Sequence, residues 1–231
     1  MDCRKLLAIA AAALLLGCVE STGPPIELEP PAKGVPDGGL RHLQWADPHP
    51  SLFAPSGQDD VEWTIQASAV AEPVTGEQFT ASFWVFEDQE QTLEIDYRSP
   101  GGNTQPFLRM DIVESSLLAL PAGEPIEEGD SVLITIDVDL SQLIVRFFPV
   151  GLQFDPAEQP GLTIWYSAAN LDLDGDGDID AADAQIEQTQ LHLWARDGVG
   201  EAWEPTESTE SHSEKYFSTP VINLSGYAVS Y

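Results

Sequence analysis

The stretch SVLITIDVD, residues 131–139, places Val132, Ile134, Ile136 and Val138 at every second position. Successive side chains of an extended strand point to opposite faces, so this spacing buries one face of a strand and turns the other outward. The same period recurs at Val61, Trp63, Ile65 and Ala67, at Phe79, Ala81, Phe83 and Val85, and at Leu93, Ile95 and Tyr97. It returns at Leu108, Met110 and Ile112, at Leu143, Val145 and Phe147, at Leu162, Ile164 and Tyr166, and at Leu191, Leu193 and Ala195. Residues 221–224 and 227–229 are read as the last strand segments. Turn-forming runs such as SPGGN at 99–103 and EEGD at 127–130 separate these segments. Many short alternating strands with such punctuation predict a mainly β protein, an antiparallel immunoglobulin-like β-sandwich.

A chain of 231 residues suffices for one generous β domain or a small pair. Nine Lys and Arg stand against 39 Asp and Glu, a net charge of −30. So acidic a surface repels nucleic acid and anionic lipid and attracts cations. The two cysteines, Cys3 and Cys18, both lie in the first eighteen residues, so the domain is expected to carry no internal disulfide.

Those eighteen residues have their own logic. Arg4 and Lys5 precede an apolar run at 6–16, and the run ends in LLGC at 15–18. Eleven apolar residues are too few for a permanent span, which takes about 20. The pattern resembles a bacterial lipoprotein signal with its lipobox, which implies cleavage before Cys18 and membrane attachment through lipid on that residue. Residues 1–17 are then the signal peptide. Val19 in place of Asp points to the outer membrane of a Gram-negative-type envelope. Residues 18–39 follow as a tether rich in proline and glycine (Pro24, Pro25, Pro30, Pro31, Pro36, Gly38, Gly39). Extended at about 3.1 Å per residue, it reaches on the order of 60 Å. The domain proper is expected over 40–231, its first twenty residues forming an irregular apolar lead-in.

The densest chemistry lies at 172–183, DLDGDGDIDAAD, with six carboxylates in twelve positions. With Asp172 at position 1 of a calcium loop, Asp174, Asp176, Asp180 and Asp183 fall at positions 3, 5, 9 and 12, and Asp178 at position 7 offers its carbonyl. Gly177 occupies position 6, where the backbone turns sharply, and Ile179 at position 8 is expected to anchor the loop in the core. Hard oxygen ligands in this number suit Ca²⁺ better than Zn²⁺ or Mg²⁺. A helix is predicted over 180–188, directly after the loop. The stretch resembles one half of a dockerin repeat and, more loosely, an EF-hand, with Asp183 where a glutamate is usual. A dockerin has two such repeats whose helices make its cohesin-binding face. The single copy here argues against a cohesin partner.

A second resemblance spans about half the chain. VRFFPVGLQF at 145–154, PGLTIWY at 160–166, Trp194, WEP at 203–205 and NLSGYAV at 223–229 resemble the β-sandwich shared by zonula-occludens, netrin-receptor and ankyrin proteins. Phe148 replaces a usual glycine and Leu224 a usual phenylalanine. The resemblance implies a structural or interaction module, and makes residues 167–189 an insertion between two strands of the sandwich.

Catalytic signatures are missing from the sequence. His42, His49, His192 and His212 have no metal-ligand spacing, and there is no nucleophile elbow or phosphate-binding glycine loop. Trp84 and Trp165 fall out of phase with the apolar sets of their strands, so either both strand faces are buried or these rings are available to stack on a ligand. The sequence therefore predicts a non-enzymatic, lipid-anchored envelope protein with a structural calcium site, serving as a binding or adhesion module for an envelope protein or a glycan. A purely structural envelope component is the alternative. A glycan-acting hydrolase would need two carboxylates converging in a concave site.

Overall fold

A computed structural model describes residues 39–46, 51–55, 78–198 and 201–231. The signal at 1–17, Cys18, nearly all of the tether and the strand expected at Val61 to Ala67 lie outside the described residues.

The described residues form two large antiparallel sheets and one short helix, a mainly β sandwich. In chain order the strands are β1 (Ser51–Phe53), β2 (Gln78–Phe86), β3 (Gln91–Arg98), β4 (Thr104–Ile112), β5 (Leu117–Ala119), β6 (Ser131–Asp139) and β7 (Ile144–Phe148). They continue as β8 (Gln153–Phe154), β9 (Gly161–Trp165), then helix α1 (Ala181–Thr189), β10 (His192–Arg196), β11 (Glu204–Pro205), β12 (Thr209–Ser211), β13 (Tyr216–Pro220) and β14 (Gly226–Ser230). One sheet runs β1-β3-β4-β9-β13-β12 and the other β11-β10-β14-β7-β6-β2, while β5 and β8 pair apart.

The alternation sets the register. Phe79, Ala81, Phe83 and Val85 of β2 face Val138, Ile136, Ile134 and Val132 of β6, and all eight are buried. Leu93 and Ile95 of β3 stand opposite Met110 and Leu108 of β4, which in turn meet Leu162 and Ile164 of β9. Side chains from the inner faces of both sheets join in one buried cluster. Each fully buried Leu, Ile, Val or Phe contributes roughly 1.5–3 kcal/mol, so this cluster dominates the stability.

The structure departs from the expected strands in the lead-in, at β13 and over 221–224, among other places. The lead-in contains the strand β1, and its Leu43 and Trp45 are buried, with bridges from His42 to Ser230 and from Trp45 to Ala169. Strand β13, YFSTP, was not expected: only Phe217 and Thr219 point inward, too few to display a period. Conversely, residues 221–224 are not a strand. Val221 donates to the Pro160 carbonyl and Leu224 to that of Leu152, and a single bridge joins Asn223 to Gln153, so the segment is held beside β8 before β14 begins.

Candidate metal centre

The acidic segment leaves the sandwich after β9. The N–H of Ala169 donates to Tyr166 O and that of Asn170 to Gln44 O, which fixes the entry into the loop. Leu173 is the apolar anchor, only 2% exposed, and its carbonyl accepts the Tyr231 hydroxyl at 2.7 Å. Ile179, the expected anchor, is 69% exposed instead. The reason is geometric: the carboxylate pair Asp180 and Asp183 turns the chain into α1 directly after Ile179, leaving that side chain outside.

Asp172 organises the first half of the loop. Its Oδ1 accepts the Gly175 N–H at 2.9 Å and its Oδ2 the Gly177 N–H at 3.1 Å. Gly177 has φ +97°, a left-handed conformation that a side chain resists, which explains glycine at this turn. Asp174 accepts from Asp176 N–H at 3.1 Å and Asp176 from Asp178 N–H at 2.9 Å. One carboxylate oxygen each from Asp172, Asp174 and Asp176 lie within 4.8 Å of one another, a group that can hold a metal ion.

Asp180 and Asp183 are engaged differently. Asp180 caps α1, accepting from Ala182 N–H at 2.7 Å, while Asp183 Oδ2 accepts the Asp180 N–H at 2.8 Å, a reciprocal capping box. Asp183 Oδ1 accepts the Leu173 N–H at 2.5 Å and the Asp174 N–H at 3.1 Å. Asp183, 2% exposed, thus closes the twelve-residue segment on itself. Of the six aspartates expected as ligands, the structure gathers the side chains of Asp172, Asp174 and Asp176, and holds those of Asp180 and Asp183 at the helix start. Asp178 presents its N–H to Asp176.

The electrostatics follow this division. The backbone N–H of Asp180, aided by those of Asp174 and Leu173, holds the Asp183 carboxyl below its ordinary range against the effect of burial. Asp174 goes the other way. The Asp176 N–H pulls its pKa down, but loss of solvent and the charges of Asp176, Asp183 and Asp180 outweigh it and raise it. A cation beside Asp174 would remove that repulsion.

The loop also lines an open depression of about 330 Å³ together with Arg41, Gln44, Gln142 and Tyr231. None of these four carries a signal in the sequence, because they are isolated polar or aromatic residues brought to the loop by chain pairing. Arg41 and Tyr231 exchange backbone hydrogen bonds at 2.9 and 3.0 Å.

The two tryptophans separate. Trp84, on the outer face of β2, is 50% exposed and stands opposite Leu133 of β6, itself 41% exposed. Trp165, half-buried on the outer face of β9, packs against its cross-strand neighbour Tyr216, ring centroids 5.7 Å apart.

Comparison of the chain with protein-family models, curated proteins and solved structures found no match. Among the described residues, no helix is long and apolar enough to cross a membrane.

Proposed function

We propose that this protein is a lipid-anchored, non-enzymatic component of a bacterial envelope whose sandwich is stiffened by one Ca²⁺ in the 172–183 loop. The convergence of Asp172, Asp174 and Asp176 carries the reading. Oxygens on opposite sides of a Ca²⁺ ion stand about 4.6–5.2 Å apart, so a group within 4.8 Å suits its coordination sphere. The dockerin-like spacing supports Ca²⁺ over other hard cations. The lipobox-like LLGC at 15–18 supports attachment through Cys18. Without the ion the carboxylates repel; with it the long connection between β9 and β10 is held, and ion binding adds to folding stability by linkage.

The exposed pair Trp84 and Leu133 supports a binding or adhesion role for the outer face of β2 and β6, because an indole on a flat sheet offers a stacking surface to a glycan or an envelope protein. Two measurements test the reading. Thermal unfolding should shift upward with calcium relative to chelator, and Cys18→Ala should move the protein from the membrane to the soluble fraction. An unchanged melting temperature defeats the calcium assignment, and membrane retention of the variant defeats the anchor.

A further inference from the structure

A second cluster of titratable groups sits one helical turn beyond Asp183. Asp183 and Glu187 lie on the same inward face of α1, and Ile186 between them packs on the core. Glu187 Oε1 accepts Lys215 Nζ at 2.7 Å and lies 3.2 Å from the hydroxyl of Tyr166, a residue buried at the end of β9. That hydroxyl is also 3.1 Å from Glu210 Oε1, on β12, and His212 Nδ1 lies 3.0 Å from the same oxygen.

A tyrosine hydroxyl has a single proton, so it donates to one of the two glutamates and turns a lone pair toward the other. Lys215 Nζ already donates to Glu187. With both carboxyls ionised, Tyr166 satisfies one contact and leaves the other as two facing lone pairs. A proton on Glu210 completes the chain: Glu210 donates to Tyr166, Tyr166 donates to Glu187, and Lys215 donates to Glu187. The groups facing Glu210 are thus Tyr166 from β9, Glu187 from α1, and His212 and Lys215 from the turn between β12 and β13.

That turn is itself held in place. Lys215 has φ +54°, a left-handed conformation uncommon for a residue with a side chain, and its carbonyl accepts the Tyr166 N–H at 2.8 Å. The conformation aims Nζ at Glu187.

We propose that Glu210, Tyr166 and Glu187 form a proton-operated latch that fastens α1 to β9 and β12, engaged when Glu210 is protonated and loosened when it ionises. Burial, with the charge of Glu187, raises the Glu210 pKa against the opposing Tyr166 hydrogen bond and the charges of His212 and Lys215. A carboxyl whose folded pKa is raised adds stability below its ordinary value and loses it as pH rises through the folded value. The latch therefore tightens toward acid, opposite in sign to Asp183.

The test uses Glu210→Gln in the full chain, with chelator present throughout so that the outcome does not depend on the calcium assignment. The amide keeps the shape of the protonated acid and donates to Tyr166. The variant should melt above the wild type near pH 7.5, by on the order of 2 °C, and the gap should narrow near pH 5. A variant that melts level with or below the wild type at both pH values overturns the latch. Carboxyl-carbon NMR of wild-type Glu210 provides a reading without mutation: a midpoint above the ordinary glutamate value of about 4.3 is expected, and one at or below it overturns the proposal.

Discussion

The carboxylate of Asp183, the third residue of α1, accepts the backbone N–H of Leu173 from ten residues earlier. This contact closes the acidic segment on itself. It ties the position that opens the helix to the position that anchors the loop, so a change at either should be felt at both.

Asp183→Ala should remove the closure, lower the melting temperature and weaken calcium binding together, because Leu173, Asp174 and Asp180 all lose an acceptor. Asp180→Ala, which removes the acceptor for the Ala182 and Asp183 N–H groups at the exposed helix start but leaves the Asp183 contacts to Leu173 and Asp174 in place, should cost less. Chemical denaturation and calcium titration of the two variants check the order.

Leu173 and Ile179 should behave oppositely under the same substitution. Leu173→Ala opens a cavity beside the core and should cost about 2–5 kcal/mol, while Ile179→Ala at an exposed site should stay within about 0.5 kcal/mol of the wild type. Equilibrium unfolding in urea reads both. Equal effects would contradict the exchange of anchors.

Acid should act on the loop through two groups of opposite sign. Asp183, with a depressed pKa, stabilises the fold above the ordinary carboxyl range and stops doing so as pH falls through its folded value. Asp174, with a raised pKa, still holds a fractional proton as pH enters the carboxyl range from above. Calcium binding near pH 5 should therefore release protons, and near pH 7.5 it should release almost none. Calorimetric titration in buffers of different ionisation enthalpy measures the difference.

Trp84→Ala should leave stability within about 0.5 kcal/mol of the wild type, since half the ring is already in water. Trp165→Ala should destabilise the protein by exposing Tyr216 and the outer face of β9. If the face of β2 and β6 binds an envelope glycan or protein, Trp84→Ala abolishes retention on that ligand without changing the melting temperature.

Much of this architecture was legible in the sequence where one strand face is purely apolar. Strands β2, β3, β4, β6, β7 and β9 display the period of two because their inner residues all enter one core. Strand β13 escaped because Thr219 fills an inward position that the pattern reserves for an apolar residue, and 221–224 misled because Val221 and Leu224 are buried in a segment held beside β8 by one bridge rather than by strand alternation. The acidic loop stood out because its aspartates and glycines recur at regular spacing, and the helix over 181–189 follows it within one residue of expectation. What spacing does not encode is the partner of each carboxylate. Six aspartates look alike in a string, yet backbone amides occupy Asp183 while Asp172, Asp174 and Asp176 converge. The Tyr166 network was invisible for the same reason: its members come from four elements brought together only by folding.

We assign Ca²⁺ to the 172–183 loop on the convergence of Asp172, Asp174 and Asp176, as a proposal. The most direct test is calorimetric calcium titration of the metal-stripped protein beside an Asp172→Ala, Asp176→Ala double variant, with melting curves of both. The wild type should bind one ion per chain and, at a hundredfold excess over Kd, gain about 2.7 kcal/mol, or about 5–10 °C. The double variant should show neither heat nor shift. Absence of binding to the wild type, or an equal shift in the double variant, would contradict the assignment.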